Sequence, residues 1–261
     1  SPSVSILFTG DIGLTSACFD SSELFSDELI EQFSSSDAVC INLELPFTGE
    51  DYRMAPYTHP SLKSLPKSSV FLSVLHPTVI NIGTNHCMDG GKEGIELTRK
   101  IIRQLEACPM GAGANEKEAR EPCGIQIGDF QIRFLSYCKK GSYTASRDSA
   151  GAALLSEENL RVDIPKAKED CDFLIVSLHM GNEFSKSVHP MYRELAQLCI
   201  ELGASCVIGH HPHIIQGIER FRGKPIFYSL GYFLFDNYAG GGLDKGNWND
   251  RHKGILAKVS F

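Results

Sequence analysis

No apolar run in the sequence approaches the roughly 18 residues that a membrane-spanning helix needs. The best candidate, residues 173–180, is interrupted by Ser177 and His179. Low-complexity tracts and repeats of fixed period are also missing, which excludes a disordered chain and a solenoid. Basic residues are outnumbered and scattered: 25 Lys and Arg stand against 32 Asp and Glu, for a formal charge of −7. A nucleic-acid partner needs a basic face to neutralise phosphates, so that class is set aside. The nine cysteines are odd in number and contain no CxxC, which argues against a disulfide framework. Cys40, Cys171, Cys199 and Cys206 lie in apolar stretches and read as free buried thiols. Such thiols fit a reducing compartment, so the cytoplasm is the expected location.

What is there is an ordinary globular composition. The 261 residues, 42% hydrophobic and 22% charged, can bury a substantial core. No linker divides them, so one domain over 1–261 is expected. Strand-like runs at 4–8, 38–43, 79–82 and 173–178 alternate with helical patterns at 22–33, 92–106 and 191–202. Gly203 is placed to end the last helix. Residues 124–137 read as a hairpin turning at Gly128-Asp129. Further short strands are expected at 206–208, 214–218, 225–229 and 255–259, with a Gly- and Asn-rich loop at 238–249. Alternation followed by a strand-rich tail predicts an α/β layered sandwich with a mixed sheet or two sheets.

The polar residues fall at the ends of these strands. Asp11 follows the first, Glu44 the second, Asn85-His86 the third and His179 the fourth, while His210-His211-Pro212-His213 follows the fifth. Strand carboxyl ends of an open α/β sheet share one rim, where ligands bind. Each residue alone has a structural reading: Asp11 as a cap, Glu44 as half of an ion pair, Asn85-His86 as turn residues, His179 as a core histidine. Three imidazoles within four residues, held by a proline, suit metal better than packing. Carboxylates with imidazoles suit Zn, Mn or Fe better than Ca or Mg.

Seven motifs occur in the order of a known family. They are Gly10-Asp11, Asn42-Leu43-Glu44, Thr84-Asn85-His86, Asp89-Gly90-Gly91, His179-Met180-Gly181-Asn182-Glu183, Gly209-His210-His211-Pro212-His213 and Tyr228-Ser229-Leu230-Gly231. Over about residues 5–236 the chain resembles the CapA/PgsA family of capsule and poly-γ-glutamate biosynthesis proteins, whose fold is similar to calcineurin-like metallophosphoesterases. The resemblance implies an αββα sandwich of the metallo-dependent phosphatase type and a site for two divalent metal ions. Glu44 would bridge them, with Asp11 and His213 on the first metal and Asn85, His179 and His211 on the second. His86 matches the position of the family's general acid. His210 could be a ligand, a donor behind the ligands or a substrate contact, and Glu183 and Asp89 could play either of the last two parts. Gly13 stands where metallophosphoesterases place a first-strand histidine, so the first site is expected to be the weaker; His59 and His189 are candidates to replace it. Met180 and Tyr232 also depart from the family pattern, at the rim.

The expected function is metal-dependent hydrolysis of a phosphoester or of a γ-glutamyl or peptide amide. Two alternatives stay open: a non-catalytic component that binds carboxylate-rich polymer, and a metal-dependent peptide epimerase. The acidic balance disfavours a broad polyglutamate surface, leaving Arg53, Lys63, Arg193 and Arg220 as local contacts. The resemblance also offers a second compartment, with the domain membrane-anchored outside the cell.

Overall fold

The computed structural model describes residues 3–14, 24–49, 62–235 and 253–261. The first elements are β1 (Ser5–Gly13), α1 (Asp27–Ser34), β2 (Ala38–Leu43), α2 (Ser69–Ser73), β3 (Val79–Asn81), α3 (Gly91–Gln104) and β4 (Cys108–Met110). There follow β5 (Ala112–Gly113), α4 (Glu116–Ala119), β6 (Cys123–Ile127), β7 (Phe130–Cys138), β8 (Gly151–Ala152), α5 (Glu157–Lys168) and β9 (Phe173–His179). The chain continues through α6 (Pro190–Leu202), β10 (Cys206–His210), β11 (Ile218–Phe221), β12 (Lys224–Phe227), β13 (Tyr232–Phe235) and β14 (Ala257–Ser260).

Two six-stranded sheets result. The first runs β13-β1-β2-β3-β4 with β14 also on β1, and the second runs β11-β12-β10-β9-β7-β6. The central strands are parallel, and parallel strands need cover on both faces. Alternate residues supply it. Val39, Ile41 and Leu43 of β2 face a core built with Ile95, Ile101 and Ile102 of α3. Leu174, Val176 and Leu178 of β9 meet Leu160 and Ile164 of α5 and Ala196, Cys199 and Ile200 of α6. Ile6, Phe8, Ala38, Cys40, Ile175, Cys206 and Ile208 pack between the sheets. The layers are therefore helix, sheet, sheet, helix, as expected.

Towards the strand carboxyl ends the layer between the sheets changes character. Asn42, Asn81, Ser177 and His210 continue, two residues on, the rows that begin with Cys40, Val79, Ile175 and Ile208. All four are buried. An apolar interior thus gives way to a polar one on the side where the loops gather.

Several expectations move. Strand β1 extends to Gly13, so Asp11 lies on it rather than after it; Gly10 permits this, because a Cβ there would collide with the Gly231 carbonyl. Likewise β9 includes His179 and β10 includes His210. Helix α1 begins at its Ser26 cap, not at residue 22, and residues 22–23 lie outside the described part, as does the loop at 238–249. Residues 214–217 do not form the expected strand. The chain is still turning after His213, at φ 59°, and regular pairing begins only at Ile218. The hairpin turns at Gly128-Asp129 as read. Helix α5 escaped the sequence reading because Pro165 sits inside it and Val162 faces solvent, although Ser156 followed by Glu157 and Glu158 is a start signal.

The thiol reading is corrected at one place. Cys40, Cys171, Cys199 and Cys206 are free, with Cys171 only half-buried, but Cys108 and Cys123 form a disulfide. It joins β4 to β6, an edge of one sheet to an edge of the other, and a spacing of 15 residues gave no warning of it.

Helix α5 is tied to the second sheet by Asp163, which accepts from Arg120 Nε and Nη2 at 2.8 Å each and from the Tyr137 hydroxyl at 2.9 Å. Removing that carboxylate leaves a buried phenol without its acceptor and Arg120 with Glu116 alone. Asp163→Ala should cost about 2–3 kcal/mol in urea unfolding, whereas Arg161→Ala, on the exposed side of the same helix, should cost less than about 0.5 kcal/mol.

Candidate metal centre

The site forms where the two sheets' carboxyl ends meet. Glu44 follows β2 directly, its backbone N–H donating to Ile12 O at 2.8 Å and its carbonyl accepting from Thr84 Oγ1 at 2.8 Å. His179 ends β9 and His210 ends β10, paired in register. Beyond them the backbone turns left-handed at His211, φ 98°, and again at His213, φ 59°. For non-glycine residues that conformation costs energy, and it clusters where function needs a particular aim. It brings the two imidazoles back over Glu44.

Glu44, His211 and His213 each offer a ligand atom within 4.8 Å of the others. Glu44 Oε1 lies 3.4 Å from His213 Nε2 and 3.9 Å from His179 Nε2. His179 Nε2 also meets Asn85 Oδ1 at 2.7 Å, and His213 Nδ1 meets Asp11 Oδ2 at 2.9 Å. All six residues expected from sequence as metal-site residues, Asp11, Glu44, Asn85, His179, His211 and His213, are therefore in one connected cluster.

The decisive feature is what lacks a partner. Both carboxylate oxygens of Glu44, Nδ1 of His179 and Nδ1 of His211 are buried and make no hydrogen bond. Buried polar groups are paired in the great majority of cases, so four unpaired atoms together ask for a bound species. Burial pushes the Glu44 carboxyl well above the usual carboxylate range, and the charges of Asp11, Glu183 and Asp89 push it further. Burial holds His179 and His211 well below the usual imidazole range, reinforced at His179 by the neighbouring imidazoles and at His211 first by Lys139. A cation would offset the cost of the Glu44 carboxylate, and the imidazoles, kept neutral, would present lone pairs to it. The donor set of carboxylate and imidazole fits a divalent transition metal.

The remaining expected residues divide. His86 Nδ1 lies 2.7 Å from Asp89 Oδ2, and both are buried. His210 is engaged at both ring nitrogens, with Thr9 O at 2.9 Å and Ser177 Oγ at 3.4 Å, so it bridges the sheets. Glu183 is exposed in the loop after β9. Position 13 has no room for a side chain, because a Cβ there would lie 2.8 Å from the Phe235 ring and 2.9 Å from Leu45. His189 caps α6, its Nδ1 accepting from Met191 N at 3.3 Å, and does not replace the missing histidine; His59 and Arg53 lie outside the described residues. Arg193 is paired with Glu219 and Arg220 donates to Gly223 O, so neither reaches the cluster.

Sequence reading missed Lys139 and Phe235 and placed Tyr232 only at the rim. Lys139 Nζ reaches His211 Nε2 at 2.7 Å and donates to Gly181 O at 3.2 Å. It directly follows β7, so the strand-end rule that found the other residues applies to it as well. Tyr232 stacks on His213 with ring centroids 4.6 Å apart, and Phe235 closes the same ring edge-on at 5.7 Å. Both come from β13, which the sequence pattern did not reveal.

The family model of the bacterial capsule synthesis protein PGA_cap matches residues 5–237. The PGA biosynthesis protein CapA of Bacillus subtilis is 31% identical over 209 residues, 78% of this chain and 54% of that protein. The capsule biosynthesis protein CapA of Bacillus anthracis is 28% identical over 210 residues, 77% of this chain and 51% of that protein. The chain thus spans about half the length of these relatives. Among solved structures, a phosphatase of Mycoplasma pneumoniae superposes with a TM-score of 0.57 at 15% identity, covering 88% of this chain and 72% of that one. A putative 5'-nucleotidase of Staphylococcus aureus gives 0.53 at 14% identity, covering 87% and 48%. These two likenesses show a metallo-dependent phosphatase fold.

A cation held by Glu44 predicts an unusual variant. Glu44→Gln removes a buried unpaired carboxylate, so in chelator its melting temperature should equal or exceed that of the wild type. Mn²⁺ at 100 times its dissociation constant should stabilise the wild type by about 2.7 kcal/mol and the variant hardly at all. Equal stabilisation in a thermal-shift titration would remove Glu44 from the ligand set.

Proposed function

The chain belongs to the bacterial capsule synthesis protein family PGA_cap, and from that premise we propose that it is a metal-dependent hydrolase of capsule or poly-γ-glutamate biosynthesis. Its substrate bond is a phosphoester or a γ-glutamyl or peptide amide. The observation that carries this reading is the gathering of Glu44, His211 and His213, whose ligand atoms lie within 4.8 Å of one another, with both Glu44 oxygens buried and unpaired. Divalent ions, Mn, Zn or Fe and two in number, would be held by Glu44, Asn85, His179, His211 and His213, with Asp11 holding the far ring nitrogen of His213 rather than standing as the ligand the resemblance implies. Bound there, such ions supply Lewis acidity toward a phosphoryl or carbonyl oxygen and lower the pKa of water.

The chain's own residues do the rest. Asp89 Oδ2 engages His86 Nδ1 and also accepts from Leu62 N at 2.8 Å, so the dyad is anchored to the segment that follows residue 61. The other ring nitrogen of His86 then holds or delivers a proton at the leaving group, work suited to imidazole near neutral pH. Thr84 Oγ1 couples the two functions, donating to Glu44 O and accepting from His86 N at 3.3 Å. The apolar rings of Phe184 and Phe235 flank His213 and restrict water there.

Assaying the Mn- or Zn-loaded protein on a chromogenic phosphodiester, poly-γ-glutamate and paired D and L peptides tests this reading. Release of the chromophore or shortening of the polymer supports it. Polymer bound but uncut would make the protein a binding component, and D/L interconversion would make it an epimerase. His86→Ala should lower turnover by about 10²–10⁴-fold with metal content unchanged; loss of metal alongside activity would make His86 a ligand. Because Phe235 fills the space beside Gly13, the site of Asn85, His179 and His211 should fill first. Elemental analysis of dialysed protein should then find closer to one metal per chain than two.

A further inference from the structure

Behind the cluster runs a line of hydrogen bonds that touches none of the unpaired ligand atoms. Asp11, Asn42 and Asn81 occupy one register row across β1, β2 and β3. Equal register on neighbouring parallel strands points their side chains the same way, here toward the second sheet. All three are buried to 1% exposure or less. The bonds run in one direction. Gly83 N donates to Asn81 Oδ1 at 3.0 Å, Asn81 Nδ2 to Asn42 Oδ1 at 2.7 Å, and Asn42 Nδ2 to Asp11 Oδ1 at 2.8 Å. Neither amide can be reversed without setting N–H against N–H at one end and oxygen against oxygen at the other.

The line does not stop at Asp11. A carboxylate accepts only, so the 2.9 Å contact of its Oδ2 requires the proton to sit on His213 Nδ1. That leaves His213 Nε2 aimed at Glu44 Oε1, 3.4 Å away. We infer that Asn42 and Asn81 are positioning residues: the relay from Gly83 N–H through both amides fixes Asp11 and, through it, the tautomer and aim of His213. Ligating histidines are commonly held this way by a carboxylate on the far ring nitrogen. Here two further amides hold that carboxylate, which is fully buried. A side branch, from Asn81 Nδ2 to Ser177 Oγ at 3.3 Å, reaches the second sheet without entering the relay.

Two readouts test the inference, only the second of which rests on His213 being a metal ligand. Long-range ¹H–¹⁵N spectra of metal-free protein at mildly alkaline pH should show His213 as the Nδ1–H tautomer. In Asn42→Ala, and in the isosteric Asn81→Asp, which keeps the Gly83 partner but loses the donor, both tautomers should appear. Zn²⁺ affinity by titration calorimetry should fall about 10–100-fold in both variants. Ser177→Ala should lower the melting temperature yet keep the wild-type tautomer. Asn42→Ala opens a buried gap, so Asn81→Asp serves as the test if that variant does not fold. The relay is wrong if His213 keeps its tautomer in Asn81→Asp, or if Ser177→Ala disturbs it equally. Should the wild type bind no Zn²⁺, the metal reading fails while the tautomer still decides the relay.

Discussion

Two sheets packed face to face bury the polar groups at their carboxyl ends, and each such group needs a partner there. That constraint governs the molecule. Deeper in the layer it is met by having no polar side chains, as at Ile6, Phe8, Ile175 and Ile208. Near the rim it is met by pairing: His210 spans from Thr9 O to Ser177, and Asn42 and Asn81 satisfy each other and Asp11. Glu44, His179 and His211 lie at the same depth and remain partly unmet. Their exception stands out because it gathers four atoms at one place beside the paired His210, Asn42 and Asn81.

Rigidity and electrostatics then act together. Glu44 is fixed by backbone bonds on both sides of its own peptide, His179 is the last residue of a central strand, and His211 and His213 are held in backbone conformations their side chains do not favour. None of these groups can swing out to water to lower its cost. The pocket accordingly resists the charged form of its carboxylate and of its imidazoles alike; a divalent cation stabilises the carboxylate and takes the neutral imidazoles as ligands. Lys139, placed against His211, belongs to the same balance and makes the rim less uniformly acidic than the chain's overall charge suggests.

Sequence patterning read the layers well because they depend on burial, which leaves long apolar runs such as residues 38–43 and 173–178. It failed where the backbone rather than the side chains decided. The irregular course of 214–217 follows the left-handed turn at His213, β13 is a four-residue strand paired with β1, and helix α5 carries a proline where propensity forbids one. The disulfide between Cys108 and Cys123 joins residues on different sheets, a proximity that no spacing encodes. The likeness to capsule synthesis proteins was legible for a different reason, since seven short motifs stand along the chain in the order of that family, whose model matches residues 5–237.

At the site the division is sharper. The chemistry was written in the chain: carboxylate, amide and imidazole at successive strand ends belong to a metal-binding inventory whatever the loops do, because residue type and strand polarity are local properties. Which atom of each residue is free was not. That His210 is spent on bridging the sheets, that Asp11 faces the far nitrogen of His213, and that Phe235 fills the space beside Gly13 depend on the distance between two sheets and on the register of three strands. Those quantities arise only when residues some 200 positions apart in the chain, such as Asp11 and His213, are packed together, and no segment of sequence contains them.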